Sequence, residues 1–217
     1  PVSPNANSIQ RFDYAGGYMG DPNDAVTIDQ TQSFPNRLWK NNYIFFEAGG
    51  MDFIVISAEF NFAPQHVIAW VDAVLKQYPN HRAILTTHQW LEDQTGDAQG
   101  APISTNGYTS GFGAARAWEG IKNNCNLFLI TSGHNWSAGG ERTRVEQNDC
   151  GRDVSMQMSD YQSRAGGGNG WLRILTFDPA TDTISTQTYS QSLDQWETDA
   201  NSQFVRPYDM DFAGDPG

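Results

Sequence analysis

The first regular pattern of apolar and polar residues begins at residue 43 and predicts two strands followed by a helix. Residues 43–48 (YIFFEA) and 52–60 (DFIVISAEF) are rich in β-forming residues, and a Gly-Gly pair between them predicts a tight turn. In residues 63–79 the apolar side chains recur at helical spacing, with one proline near the start and another just after the end. This pattern predicts an amphipathic helix that lies on a sheet.

Two further apolar runs end in polar residues and predict buried strands that carry functional side chains at their ends. They are residues 82–88 (RAILTTH) and 126–134 (NLFLITSGH), and residues 112–122 between them predict a second helix. The order strand, helix, strand, helix, strand is typical of α/β folds, in which helices cover a sheet.

The last third of the chain changes its pattern. Segments 153–158, 170–177 and 182–190 are β-rich and separated by glycine-rich and Asp-Pro turns, so they predict an antiparallel meander. The predicted fold class is therefore α/β, or α+β when the meander is counted. We divide the chain into an irregular lead-in of the same domain (1–42), the folded part (43–205) and a polar tail (206–217).

The composition and net charge of the chain exclude some classes of binding partner. A chain of 217 residues with 38% hydrophobic and 12% aromatic residues can bury one substantial core. The 13 Lys and Arg residues against 25 Asp and Glu residues give a net charge of −12, which repels nucleic-acid backbones. We find no apolar run long enough to span a membrane and no signal-peptide pattern.

The two cysteines leave two interpretations open. Cys125 and Cys150 form either a disulfide in an extracytoplasmic protein, secreted or periplasmic, or two free thiols in a cytosolic one. Their polar surroundings favour the disulfide, because an inert free cysteine usually lies on an apolar face. The bond would brace the segment between them.

Two histidines follow buried strands, His88 in ILTTHQW and His134 in LITSGHNW. A single histidine is more often structural than functional, but a pair at strand ends is a good candidate for binding zinc, iron or manganese. Because parallel strands end at one edge of a sheet, we expect the ring nitrogens of the two histidines to lie within about 3–5 Å of each other.

The sequence and the order of its motifs in residues 40–205 resemble the later part of secreted bacterial calcineurin-like metallophosphoesterases. The matching stretches are FIVISAEF, WVDAVLKQYPNHRAILTTH, LFLITSGHNW, SDYQSRAGGGNGWLRILTFDP and ISTQTYS. The resemblance implies a four-layer αββα sandwich that holds two metal ions, divalent or trivalent (Zn, Mn or Fe). It also implies a phosphate-ester substrate, which a metal-bridged water attacks at phosphorus.

The resemblance assigns roles to several residues. His88 and His134 match two ligands of the second metal, and Gly133 matches the glycine that turns the backbone into the Gly-His-x-His element. Trp136 stands where that family has its second histidine, a ligand of the first metal, and Asn135 lies between them. An indole cannot replace an imidazole as a ligand, so the first metal position lacks this contact.

The family's earlier motifs are absent from a matching context before residue 43. They are an Asp-x-His, a Gly-Asp-x-x-Asp and a Gly-Asn-His element, which supply the bridging carboxylate and the proton donor. Two imidazoles alone make an incomplete metal site, because hydrolytic sites normally have at least three protein ligands. Either this chain is the C-terminal half of a phosphoesterase domain, whose N-terminal half is its partner, or it is a non-catalytic module with a binding or structural role.

Aromatic residues near the histidines have two interpretations. Trp90, Trp136 and Tyr161, with Asp160 beside the last, could line a substrate pocket and stack on a sugar or nucleoside ring. Alternatively they are packing residues beneath loops, and the sequence favours this second interpretation.

Overall fold

Apolar alternation along the strands builds two sheets that stack face to face. The computed structural model describes residues 16–18, 41–59, 65–91, 114–134 and 139–210. A cluster of buried side chains fills the space between the sheets, with Phe53 and Phe128 from one sheet against Phe177 and Ile184 from the other. The rings of Phe53 and Phe177 meet edge to face at 5.7 Å.

The first sheet contains seven strands among the described residues. In chain order they are β1 (Gly16–Tyr18), β2 (Asn42–Ala48), β3 (Met51–Ala58), β4 (Arg82–Thr87), β5 (Leu127–Ser132), β6 (Glu141–Gln147) and β7 (Asp153–Ser159). Their order across the sheet is β1-β2-β3-β4-β5-β7-β6. The strands β3, β4, β5 and β7 are parallel to one another, so their carboxyl ends lie at a single edge.

In the described part of the chain, two helices cover the outer face of this sheet. They are α1 (Gln65–Gln77), between β3 and β4, and α2 (Ala114–Ile121), between β4 and β5. The buried residues of α1 are Val67, Ile68, Trp70, Val71, Val74 and Leu75. Each such side chain stabilises the fold by about 1.5–3 kcal/mol when fully buried, which explains why the 3.6-residue pattern specifies this helix.

The second sheet is antiparallel. Its strands are β8 (Trp171–Asp178), β9 (Thr183–Ser190), β10 (Gln195–Glu197) and β11 (Phe204–Pro207), and a 3₁₀ turn at Ala165–Gly167 precedes them. One side of β9 pairs with β8 along its whole length, and the other side pairs with β10 and then β11. The described part thus has three layers: helices, mixed sheet and antiparallel sheet.

This architecture confirms the coarse α/β class and corrects one detail of it. The segment 153–158, which we predicted as part of the meander, is β7 and belongs to the first sheet, where it runs parallel to β5. Its alternating pattern is compatible with either sheet, because β-propensity does not specify a partner strand. Strand β6, antiparallel to β7, was not predicted.

The predicted lead-in and tail both contain packed residues. Within residues 1–42, β1 pairs antiparallel with β2 and so extends the first sheet. The predicted tail begins inside β11, and Met210 is only 4% exposed, with its carbonyl accepting a hydrogen bond from Arg82. The ring of Tyr208 lies 4.5 Å from that of Phe128. Tyr208 and Met210 of the predicted tail therefore pack in the cluster of side chains between the sheets.

Candidate functional site

The carboxyl edge of the parallel strands brings the two predicted histidines together. His88 follows β4, His134 follows β5 by two residues, and these strands are neighbours with Thr86 opposite Thr131. The backbone continues the pairing past the strand ends, since Gly133 N–H donates to the carbonyl of His88 at 3.1 Å. The sheet itself therefore sets the separation of the two side chains.

The two rings are in direct contact. His88 Nε2 lies 2.8 Å from His134 Nδ1, and the ring centroids are 4.6 Å apart. Two neutral imidazoles at this distance form a hydrogen bond in which one donates and the other accepts. The convergence predicted from the strand ends is present, at slightly shorter range than expected, and both rings reach solvent. Their role as metal ligands stays a prediction.

Gly133 serves the site differently from the way we predicted. The left-handed backbone conformation is at His134, with φ of 61°, and not at Gly133. A Cβ on Gly133 would lie 3.3 Å from the carbonyl oxygen of Ser159, at the end of β7. The close approach of two backbones therefore favours glycine there, since a Cβ would displace its neighbour by a few tenths of an ångström, and the left-handed turn is made by His134 itself.

A carboxylate residue that the sequence analysis did not single out, Glu59, follows β3 at the same edge. Its N–H donates to the side-chain oxygen of Asn41 at 2.8 Å, and its carbonyl accepts from the Thr87 hydroxyl at 3.2 Å. Ala58 pairs with Thr87, so Glu59 is the β3 neighbour of His88. The backbone of Glu59 is thus fixed on both sides beside the histidine pair.

A buried ion pair lies where β6 begins. The Glu141 carboxylate is 2% exposed and lies 3.0 Å from Arg173 Nη2. It also accepts hydrogen bonds from the hydroxyls of Tyr161, Thr188 and Ser202. Burial, and then the negative charge of Glu141, raise the pKa of Tyr161 to about 12, so this hydroxyl stays protonated and keeps donating.

Three carboxylates meet around one hydroxyl in this region. Glu141, Glu197 and Asp199 each place one oxygen within 4.8 Å of the others, a spacing that could hold a metal ion. The Ser202 hydroxyl contacts all three carboxylates, although it can donate only one proton. Arg173 and Arg164 already pair with Glu141 and Glu197, so two guanidinium groups offset most of the negative charge.

The remaining predicted residues divide into three groups. Trp90 is 3% exposed, and its indole N–H donates to the Met156 sulfur at 3.2 Å, so it packs in the core. Asp160 accepts from the N–H of Gln162 in a turn, and the Tyr161 hydroxyl is turned towards Glu141. Asn135 and Trp136 lie outside the described residues.

The predicted disulfide between Cys125 and Cys150 is present, with the two Cα atoms 5.5 Å apart. Cys125 precedes β5, and Cys150 lies in the turn between β6 and β7. The bond therefore ties the amino-terminal end of β5, whereas His134 follows its carboxyl-terminal end. Strand β5 therefore separates the bond from His134, and the bracing of the segment between the two cysteines stays a prediction.

Comparison with known proteins identifies a relative that has no assigned function. No model of a known protein family matches the chain. The chain is similar to the uncharacterized protein YvnB of Bacillus subtilis strain 168, with 31% identity over 178 residues. The match covers 81% of this chain and 13% of YvnB, so the chain spans about an eighth of that protein's length.

Sequence reasoning missed Glu141 and its surroundings. Its hydrogen-bond donors are 20, 47 and 61 positions further along the chain, so no local motif announces them. The only available signal was Glu141 itself, an acidic residue shortly after the Gly-His pair.

Among the described helices, none is long and apolar enough to cross a membrane.

Proposed function

We propose that the chain is the C-terminal half of a calcineurin-like metallophosphoesterase domain, which hydrolyses phosphate esters with the help of bound metal ions. The observation that carries the proposal is the 2.8 Å contact between His88 Nε2 and His134 Nδ1 at the ends of neighbouring parallel strands. The resemblance of the sequence supplies the reaction class. Two imidazoles held by backbone pairing at one solvent-exposed point are suited to binding an ion.

The spacing of the nitrogens fits a shared metal. With metal–nitrogen bonds of about 2.1 Å, two ligands at a tetrahedral angle stand roughly 3.4 Å apart, and ligands at a right angle roughly 3.0 Å. The observed 2.8 Å is therefore a few tenths of an ångström short of the separation that Zn, Mn or Fe would require. A change of a few tenths of an ångström is within the reach of side-chain rotation, so it does not require movement of the sheet.

His88 and His134 would hold one ion, and the remaining ligands would come from the N-terminal half of the domain. When bound, the ions polarise the phosphoryl oxygen and lower the pKa of a coordinated water. The two histidines of this chain would bind and orient one ion, and the proton donor expected for the leaving group would lie in the other half of the domain. The chain alone is then a binding unit without catalytic turnover.

The second sheet offers a place for the other half. Among the described residues β8 pairs only with β9, so one edge of an eight-residue strand is open. On the face turned away from the first sheet, Leu172, Tyr189 and Trp196 form a cross-strand row, and Trp196 is 52% exposed. Long unprotected edges and exposed apolar faces are usually covered in proteins. Further strands and a helical layer here would complete the four-layer sandwich.

The disulfide supports an extracytoplasmic location for the domain. Such bonds persist in oxidising compartments and are rare in the cytosol. We therefore place the phosphoesterase in the secreted or periplasmic class.

The second candidate function is a non-catalytic module of the same fold with a binding or structural extracellular role. The observation in its favour is Trp136, which stands where the family has a metal-binding histidine. Loss of that ligand would remove one metal position and with it the two-metal reaction.

Metal titration of the purified chain tests the proposal. Isothermal calorimetry with Zn²⁺ and Mn²⁺ should show one site, and His88→Ala and His134→Ala should each weaken it roughly tenfold or more. His81→Ala is the matched control, because His81 directly precedes β4 and therefore lies at the amino edge of the parallel strands, opposite to the edge that carries His88. Equal affinity in all four proteins would exclude the metal site.

A second experiment separates the two candidate functions. The chain alone should not hydrolyse p-nitrophenyl phosphate, whereas a polypeptide extended by the preceding coding sequence should do so in the presence of metal. The extension should contain Asp-x-His, Gly-Asp-x-x-Asp and Gly-Asn-His elements. A metal-loaded extended protein without turnover would support the binding module instead.

A further inference from the structure

Arg164 lies at the junction of the two sheets and contacts the segment that follows His134. Its Nε donates to the carbonyl of Gly139 at 3.1 Å, and its Nη2 donates to the same oxygen. Its Nη1 lies 2.8 Å from Glu197 Oε1 on β10. The Arg164 side chain is 14% exposed, whereas Gly139 and the hydrogen bonds to its carbonyl face solvent.

Aromatic rings fix the plane of this guanidinium. Its central carbon lies 4.7 Å from the centroid of the Tyr161 ring and 5.5 Å from that of Trp171 on β8. Cation–π contacts of this kind favour arginine, whose flat group stacks while its edge donates hydrogen bonds. A lysine ammonium could not direct two donors at one carbonyl and a third at a carboxylate with the same rigidity.

Both ends of the segment that carries His134 are attached to the end of β7. At the start, Gly133 packs against the carbonyl of Ser159 and donates to the carbonyl of His88. At the finish, Gly140 accepts a hydrogen bond from the N–H of Asp160 at 2.7 Å. Arg164 adds the attachment at Gly139, next to Gly140. The described residues on either side of positions 135–138 are therefore held at fixed positions.

We propose that Arg164 is a positioning residue for the histidine pair. By holding Gly139 against the second sheet, it fixes where the chain must return after His134 and so restricts the left-handed conformation that aims the His134 ring at His88. Arg164 touches neither ring. Its effect passes through the backbone, and it couples the second sheet to the site. The expected effect on metal binding rests on the proposed function, whereas the contact between the His88 and His134 rings does not depend on a metal.

The test compares Arg164→Lys and Arg164→Met with a matched control, Arg206→Lys. Arg206 is also stacked on an aromatic ring, with its central carbon 5.0 Å from the Phe204 centroid, but it lies on β11 beside the cavity between the sheets. We expect the Arg164 variants to bind Zn²⁺ about 10–100-fold more weakly than the parent, the range typical of residues that orient metal ligands. Arg206→Lys should bind as the parent does.

A metal-free measurement separates positioning from general loss of stability. The imidazole ¹⁵N shifts of His88 and His134 report their hydrogen bond, and we expect both to change in Arg164→Lys and to remain unchanged in Arg206→Lys. Glu197→Gln, which removes the ion pair and leaves the arginine in place, should shift them in the same direction by a smaller amount. It also serves as the second variant if Arg164→Met does not fold.

Unchanged ¹⁵N shifts in folded Arg164→Lys would overturn the inference, as would Zn²⁺ affinity within twofold of the parent. If the parent binds no metal at all, the proposed function fails, and the ¹⁵N shifts still decide the role of Arg164.

Discussion

Replacement of Glu141 by glutamine should destabilise the protein strongly. The substitution keeps the shape and one acceptor oxygen, but it leaves the Arg173 guanidinium buried without its carboxylate, both side chains being at most 6% exposed. Breaking one partner of a buried ion pair costs about 3–5 kcal/mol. Arg173 retains its contacts to the carbonyls of Asn201 and Met158, so we expect the lower half of this range.

Urea unfolding under non-reducing conditions measures the change, followed by circular dichroism and by tryptophan fluorescence as a check on two-state behaviour. With a slope of about 2 kcal/mol per molar urea, the midpoint should fall by roughly 1.5–2 M. Arg173→Met should cost a similar amount. The double variant Glu141→Gln with Arg173→Met should be about 1–3 kcal/mol more stable than the sum of the two losses predicts.

The control is an exposed pair on α1, in which Lys76 Nζ lies 2.7 Å from Asp72. Lys76→Met should change the unfolding free energy by no more than about 0.5 kcal/mol. A loss below about 1 kcal/mol in Glu141→Gln, or strictly additive single losses, would refute the reasoning that the buried Glu141–Arg173 pair contributes strongly to stability.

Three further predictions follow from the structure. Reducing the Cys125–Cys150 bond should lower the unfolding free energy by about 3 kcal/mol, and native mass spectrometry with an alkylating agent should find no free thiol before reduction. Gly140→Ala should destabilise more than Gly151→Ala in thermal melts, because both have positive φ but only the first would bring a Cβ to 2.5 Å from a carbonyl oxygen. Partial burial raises the pKa of Asp199, but hydrogen bonds from Ser202 and the N–H of Asn201 outweigh this and hold the pKa below its usual value. The Asp199 carboxylate therefore contributes its full stabilisation above the unfolded pKa of about 3.9 and loses it as the pH falls through the lower folded pKa. The unfolding free energy of Asp199→Asn should therefore depend less on pH below 4 than that of the parent protein.

Strands β3, β4 and β5 could be predicted because each is a short apolar run, and an amphipathic helix follows the first two of them. Local pattern and tertiary packing agree there. Strand β6, ERTRVEQ, has one apolar residue, Val145, and is stabilised by its pairing with β7, which no local pattern reveals. The partner of β7 was mistaken for the same reason.

The histidine pair could be predicted because two strand ends of a parallel sheet must open at one edge, whatever the intervening sequence. The Glu141 network could not. Its donors come from Tyr161, Thr188 and Ser202, which only the stacking of the two sheets brings together. Gly133 shows what a motif alone does not reveal. The resemblance marked this glycine for a sharp turn, whereas the structure shows that the Ser159 carbonyl lies close to it.

The position of the disulfide has a consequence for the folding order. Parallel strands β5 and β7 pair Leu129 with Ser155, a contact that an open chain must reach by closing a loop of more than two dozen residues. Cys125 precedes β5 by two residues, and Cys150 precedes β7 by three. Once the bond has formed, the two strands start side by side, and their pairing becomes as local as that of a hairpin. In an oxidising compartment we therefore expect this pair to form early in refolding, whereas the reduced chain must search for it and folds more slowly.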